Sequence, residues 1–290
     1  MEQDEITRKV EQCWDRGVEE GDSCTRPLLD LTRETVAGYA AGRRDELPGV
    51  SMEPRHLLTG AEGKDVLCLA AGGGQQSAVF GLLGANVTVL DISAGQVRGD
   101  RTAAEHYGYG VRTVKGDMRD PSAFDDASFD LVYQPHSFSY VPDVRPVYRE
   151  VHRVLRGGGL YSAGHVNPAV FAVSLGFCGS EGGAGGWDGV GYRIVDPYRG
   201  GPVFRNEAGV ENMVEGEPTG ENRHLLKDIF GGLIELGFTI REVVENPCHL
   251  KQPISAEPGS YNHMLAYVGL YFDIGAEKPW SRSPHFVSLR

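Results

Sequence analysis

The 290-residue chain predicts an α/β fold, a mostly parallel sheet flanked by helices, and three features of the sequence carry that prediction. Between about 65 and 161, short apolar runs alternate with polar stretches of helical period, the texture of successive strand–helix–strand crossovers. The first apolar run, VLCL, opens directly into a glycine-rich turn over 70–74. The second, VTVL, ends on Asp91, 19 positions after Gly72, the separation that a βαβ unit sets between a ligand-binding loop and an acid.

Residues 3–44 are rich in charge, with apolar positions at Ile6, Val10 and Trp14 and again at Leu28, Leu31, Val36 and Tyr39. Those spacings suit amphipathic helices, so residues 1–60 are expected to form an N-terminal helical cap and 61–290 the main domain. Strands are expected at 66–69, 87–90, 112–115, 131–134 and 160–163, with crossover helices at 76–83, 94–107 and 144–155. The last helix carries Val147, Tyr148, Val151, Val154 and Leu155 on one face. Regularity then gives way to a glycine-rich insertion over about 164–220, which reads as a functional loop after strand five. Helical period resumes over 224–236, a strand follows at 238–244, and Met264, Ala266, Val268 and Leu270 alternate as a further strand over 263–272. These two late strands are expected to pair antiparallel at the sheet edge.

Composition narrows the class of function. The formal charge is −12, from 28 basic and 40 acidic residues, and it opposes binding to a phosphate backbone. No apolar run approaches a membrane span, and the first residues lack the basic and then apolar regions of a signal peptide. Five cysteines, at 13, 24, 68, 178 and 248, include no CxxC pair. They read as reduced thiols of a cytoplasmic protein, with neither a disulfide framework nor a metal site. A small molecule is the expected partner, in place of nucleic acid or a membrane.

The chemistry-bearing motifs sit at strand ends. VLCLAAGGGQQS at 66–77 runs from a strand through Ala70, Gly72 and Gly74 into a helix start, so a ligand can lie against bare backbone and free N–H groups. Glycines alone serve a tight turn equally well, and Asp91 alone serves as a helix cap. Together they point to a nucleoside, with Asp91 beside the ribose hydroxyls. A dinucleotide dehydrogenase would share both features, although its GxGxxG pattern is absent where Gln75 and Gln76 follow three glycines. VKGDMRD at 114–120 adds Asp117 and Met118 just past the third strand, where an acid accepts from an adenine amino group and a thioether lies on the ring.

In order, the glycine loop, Asp91, the Gly-Asp-Met after strand three, FDLVYQPHSFSYV at 129–141 and REVHRVLRGGGLY at 149–161 resemble the class I S-adenosylmethionine-dependent methyltransferases. The wording around the first two motifs is similar to a bacterial small-molecule subgroup. The resemblance implies a Rossmann-like seven-stranded sheet with an antiparallel last strand, and S-adenosyl-L-methionine as cofactor. It implies that Gly72 and Gly74 flank the methionyl part, that Asp91 holds the ribose, and that Asp117 and Met118 frame the adenine. Ala70, Gln75, Ile92, Gln96 and Gln134 complete the candidate cofactor set. The family's usual acid within strand one is Cys68 here, a poor acceptor, and Gln75 or Gln76 is the candidate to replace it.

Methyl transfer needs alignment and exclusion of water, and a weak nucleophile also needs a base. His136, directly after strand four, is the candidate catalytic base, with an imidazole suited to neutral pH. Tyr140, His165, Asn167, His224 and Glu245 are candidate substrate contacts, as is His249. Trp187 and Tyr198, with Phe171 and Tyr192, are candidate aromatic contacts on an insertion that would close as a lid. QPHS at 134–137 lacks the Asn/Asp-Pro-Pro-Tyr pattern of nucleic-acid amino methyltransferases. The readings in competition are a methyltransferase fold that binds the cofactor without methylating and a nicotinamide-dependent oxidoreductase.

Overall fold

The computed structural model describes residues 4–170, 187–192, 194, 197–202, 213–214, 217–218, 222–245, 257–258 and 260–280. Five strands follow one another with helical crossovers: β1 (Asp65–Leu69), β2 (Asn86–Asp91), β3 (Val111–Lys115), β4 (Phe129–Gln134) and β5 (Leu155–Val166). The helices are α1 (Glu5–Glu20), α2 (Arg33–Ala40), α3 (Gln76–Leu82), α4 (Ala94–Tyr107) and α5 (Arg145–Val154). Beyond the insertion come α6 (Leu226–Glu235), β6 (Thr239–Glu245), the short α7 (Tyr261–Leu265) and β7 (Tyr271–Glu277). The seven strands form one sheet in the order β6-β7-β5-β4-β1-β2-β3. β7 runs antiparallel to both of its neighbours, while β1–β5 pair parallel. The chain therefore leaves β1 toward one edge and β4 toward the other, and the crevice at that reversal, outside the carboxyl ends of the strands, is where such sheets bind ligands.

Both faces of the sheet are buried, as near-continuous apolar strands require. Leu67, Leu69, Val132 and Tyr161 pack with Val147, Tyr148 and Val151 of α5 and with Ile229 and Leu233 of α6. Val66, Cys68, Leu131 and Tyr133 face Val36, Tyr39, Met52 and Leu58 of the N-terminal region together with Val79 and Phe80 of α3. At ~1.5–3 kcal/mol for each fully buried large apolar side chain, these two layers hold the strands in register.

The sequence expectation and the structure differ in two places. Residues 263–272 were expected as a strand; Tyr261–Leu265 is instead a helical turn, and β7 begins at Tyr271. The Ser260 side chain caps that turn by accepting from the His263 N–H, and Met264 and Leu265 are buried with Val170 and Leu270. Alternate apolar positions there mark a small satellite core. The two late strands do pair antiparallel at the sheet edge as expected, with β7 between β5 and the outermost β6. The expected strand at 160–163 extends over Leu155–Val166 because β7 pairs along it from Leu160 to Val166. Of the insertion, two short ribbons are described, Gly201–Pro202 with Asn222–Arg223 and Met213–Val214 with Glu217–Pro218. Phe171 and His249 lie outside the described residues.

Candidate active site

A cleft of about 600 Å³ opens at the carboxyl ends of β1, β2, β3 and β4, and α1 lies along one wall. Its lining includes Ala70, Gly72, Gln75, Gln76, Asp91, Ile92, Gln96, Asp117, Met118, His136 and Tyr140. These come from four separate strand ends, which is why sequence spacing alone could group them only in pairs.

The loop between β1 and α3 turns through a left-handed run: φ is +46° at Ala70, +36° at Gly72, +75° at Gly73 and +84° at Gly74. A Cβ on Gly73 would stand 2.7 Å from Gln96 Oε1 and 2.8 Å from the Thr25 carbonyl, so the bare backbone is enforced by packing as well as by φ. The Gly72 N–H donates to Asp91 Oδ2 at 3.2 Å, and the Ser93 N–H to Asp91 Oδ1 at 2.9 Å. Burial pushes the Asp91 carboxyl up to about 6 despite those donors. Gln75 donates to the Ser23 and Arg26 carbonyls and ties the loop to the N-terminal segment. The Oε1 atoms of Gln76 and Gln96 are buried without a hydrogen-bond partner, and both residues line the cleft. Buried acceptors of this kind call for donors from a ligand.

At the third strand end Arg119 forks onto Asp117, with Nη2 2.6 Å and Nε 3.0 Å from Oδ2. The same guanidinium reaches Asp4 at 2.9 Å and the Thr7 hydroxyl, so the start of α1 is tied to Asp117. Arg119 holds the Asp4 carboxyl down at about 2. Met118 lines the cleft, and Gln134, fully buried beneath it, donates to Met118 Sδ at 3.3 Å and to Ser137 Oγ at 3.0 Å. Tyr161 donates to Gln134 Oε1 at 2.6 Å, so this amide is spent on protein partners and, unlike Met118 above it, does not line the cleft.

His136 is partly exposed to the cleft, stacked on Tyr271 with ring centroids 3.9 Å apart. Its Nε2 lies 3.5 Å from Oδ1 of Asp273, an ion-pair separation longer than an ordinary hydrogen bond. Asp273 comes from β7 and is buried; burial first, then the nearby Glu53 charge, pushes its carboxyl well above the usual range. A Cβ on Gly164 would meet His136 Cδ2 at 2.9 Å and Asp273 Oδ1 at 3.0 Å, so glycine there makes room for the pair. Tyr140, on the turn Phe138–Tyr140, meets Trp14 of α1 edge-on at 5.7 Å.

The remaining residues singled out in the sequence lie away from the cleft. Gly74 faces α4, where a Cβ would meet the Gly99 carbonyl at 2.5 Å. His165 is buried between Phe138, on which it stacks at 4.3 Å, and Tyr148, whose hydroxyl lies 2.8 Å from Nε2; burial holds its pKa well below the ordinary value. His224 Nε2 lies 2.9 Å from the Phe138 carbonyl, and Asn167 bonds to the Gly269 carbonyl and the Ala169 N–H. Trp187 packs against Tyr192, His263 and Tyr267, Tyr198 is exposed, and Glu245 ends the exposed edge strand β6.

Sequence reasoning missed the wall made by α1: Thr7, Val10, Cys13, Trp14, Arg16, Gly17 and Glu20 all line the cleft. The signal present was its apolar period, which marks a buried face without saying what it faces. Asp15 ties this helix to α4 by accepting from Ser93 Oγ at 2.6 Å and the Gly95 N–H at 2.9 Å. Among the described residues, no group of three His, Cys, Asp or Glu is disposed to hold a metal ion, and no helix is long and apolar enough to cross a membrane.

Residues 67–163 match a family model described as a methyltransferase domain. The chain is 34% identical over 236 residues to an uncharacterized methyltransferase, YbaJ, of Bacillus subtilis, covering 81% of this chain and 88% of that protein. Its fold is similar to an S-adenosylmethionine-dependent methyltransferase of Mesorhizobium loti, with a TM-score of 0.58 at 23% identity over 77% of this chain and 94% of that one. It is also similar to geranyl diphosphate C-methyltransferase of Streptomyces coelicolor, solved with Mg2+, geranyl diphosphate and S-adenosyl-L-homocysteine, with a TM-score of 0.55 at 16% identity over 95% and 98% of the two chains. The chain belongs to the methyltransferase family, and its fold is that of the S-adenosylmethionine-dependent methyltransferases.

Proposed function

We infer that this methyltransferase transfers the methyl group of S-adenosylmethionine to a hydroxyl or acidic carbon of a small-molecule acceptor, with His136 taking up the proton. The observation that carries this reading is a single cleft with two unlike halves: the glycine loop, Asp91 and Asp117–Met118 on one side, and His136 among apolar side chains on the other. In this reading residues 61–290 form the catalytic domain and residues 1–60 cap it, with α1 as the inner surface of the cap.

The first half suits the cofactor. Asp91 would accept from the ribose hydroxyls and Asp117 from the adenine amino group, with Met118 against the base. The orphaned Oε1 atoms of Gln76 and Gln96 would accept from the ammonium of the methionyl end, a task the neutral Cys68 thiol is unsuited to. When bound, S-adenosylmethionine supplies an electrophilic methyl carbon. Trp14, Tyr140, Val141, Val166 and Tyr271 would then enclose the acceptor, exclude water and hold its nucleophile in line. Asp273, behind His136, would face the Nε2 edge of the ring and orient it from β7.

Size and charge support a small acceptor. The cleft lies within the ~300–1,000 Å³ range of small-molecule sites and would be shared by cofactor and acceptor. Its cationic side chains are Arg16 and Arg119, and Arg119 is engaged by Asp117 and Asp4. The net charge of −12 disfavours nucleic acid, and the free thiols Cys24 and Cys68 suit a cytoplasmic setting. Incubation with methyl-labelled S-adenosylmethionine and a cell extract separated by size tests the reading. Label is expected in the low-molecular-mass fraction with wild-type protein, strongly reduced for His136→Ala. Label in the protein or nucleic-acid fraction instead would contradict it.

A further inference from the structure

The glycine loop is held from beneath by two carboxylates on different elements. Asp91, at the end of β2, takes the Gly72 N–H. The second is Asp100, in the middle of α4. Its Oδ1 accepts the Gly74 N–H at 2.9 Å and the Ser77 hydroxyl at 2.5 Å. Asp100 is 1% exposed, and its other oxygen, Oδ2, is buried without a hydrogen-bond partner. The contact rests on two glycines whose backbones touch: a Cβ on Gly74 would meet the Gly99 carbonyl at 2.5 Å, and a Cβ on Gly99 would meet the Gly73 carbonyl at 2.6 Å. This approach of α4 to the loop brings the next residue, Asp100, under Gly74. The strand below offers no competing acceptor, because the Cys68 thiol is fully buried and burial pushes its pKa well up.

We propose that Asp100 is a positioning residue for the cofactor: its carboxylate, acting from α4, fixes the Gly74 N–H and the start of α3, and its protonation loosens the loop and weakens cofactor binding. The inference rests on reading residues 70–76 as the cofactor loop. The groups that face Asp100 are Cys68 from β1, Ser77 from α3, Asp91 from β2 and Tyr109 beyond α4. Of these, Ser77 favours the carboxylate by donating to it, whereas burial and the Asp91 charge oppose it and raise its pKa to about 7. Relative to an exposed aspartate the raised value favours the protonated acid, so the stability this group contributes is lost as pH rises through about 7. Cofactor binding follows the opposite sign, because a loosened loop withdraws the Gly74 and Ser77 donors from an acid that α4 keeps buried, and the ordered, binding-competent loop is therefore the form that favours the carboxylate.

The test is calorimetric titration with S-adenosylhomocysteine between pH 6.5 and 8, with folding checked at each pH by circular dichroism. Wild-type affinity is expected to rise about three- to fourfold over that range, following the ionised fraction of a group with a pKa of about 7. Asp100→Asn is expected to bind more weakly at pH 8 and to keep only the small rise, about 1.3-fold, that Asp91 titrating at about 6 supplies. Ser77→Ala, which removes a donor to the carboxylate and keeps the rest of the site, is expected to move the same rise to higher pH. This second variant decides the matter if Asp100→Asn does not fold. Wild-type profiles in both variants would overturn the role of Asp100. Failure of the wild-type protein to bind S-adenosylhomocysteine at any pH would instead overturn the cofactor-loop reading beneath it.

Discussion

Replacing Asp91 by Asn should separate its binding role from its structural one. The carboxyl is buried and raised from 3.8 to about 6, so near neutral pH its ionised form costs the fold about 3 kcal/mol relative to an exposed aspartate. The sign follows from the raised folded value: stability is fully present below about pH 4 and is lost as pH rises through about 6. Asn removes that penalty, but its single carbonyl oxygen cannot serve both the Gly72 and Ser93 N–H groups, and one unsatisfied donor costs ~1–3 kcal/mol. The two effects nearly cancel, so the melting temperature at pH 7 should stay close to wild type. Cofactor binding has no such compensation. Loss of a charged acceptor for the ribose should cost ~1.5–3 kcal/mol, roughly a 10- to 150-fold weaker Kd for S-adenosylhomocysteine. Calorimetry and thermal melts on the same preparation measure both quantities. A large fall in melting temperature with unchanged affinity in the folded protein would refute the argument and leave Asp91 as a helix-capping residue.

Three other substitutions probe separate parts of the account. Gly74→Ala places a Cβ at φ +84° and 2.5 Å from the Gly99 carbonyl, so it should destabilise by more than ~1 kcal/mol and weaken S-adenosylhomocysteine binding; wild-type values for both would show the loop to be more pliant than its packing implies. Tyr148→Phe removes the hydroxyl beside His165 Nε2 and should cost ~1–3 kcal/mol in urea unfolding with cofactor affinity intact, whereas an affinity loss without a stability loss would move His165 into the site. Arg119→Ala removes the guanidinium bridge from Asp117 to Asp4 and leaves the direct Thr7–Asp117 hydrogen bond, so hydrogen exchange should quicken in the first turn of α1 and S-adenosylhomocysteine should bind several-fold more weakly; unaltered exchange would show that Thr7, Asp15 and the apolar face hold the helix without it.

The strands and helices of the central region were legible because local chemistry marks them twice. α4 runs over Ala94–Tyr107, where Ser93 accepts from the Gln96 N–H at its start and Gly108 closes it at φ +74°. β1, β2 and β4 are short apolar runs bounded by turns, and β3, the outer strand, keeps only Val111 and Val114. The strand-end part of the cleft was legible for the same reason: Gly72, Asp91 and Asp117 each sit at the end of a recognisable strand, and the topology of parallel strands brings those ends together. The other wall of the cleft was not. An imidazole in a sequence does not disclose whether it faces a ligand or the core, and His165 and His224 spend their nitrogens on Tyr148 and the Phe138 carbonyl. Asp273 reaches His136 only because β7 inserts between β5 and β6, a pairing set by the whole sheet. The face of α1 was visible as a period, yet its placement over the cleft depends on Asp15 meeting the start of α4 and on Arg119 meeting Asp4, contacts between residues distant in the chain.

The most direct measurement is a crystal structure of the complex with S-adenosylhomocysteine. The account predicts ribose oxygens within hydrogen-bonding distance of Asp91, the adenine beside Asp117 and Met118, the amino end against Gln76 and Gln96, and the sulfur facing His136 and Tyr140 under α1. Density for the nucleoside elsewhere, or in this cleft with its sulfur turned away from His136, would contradict it.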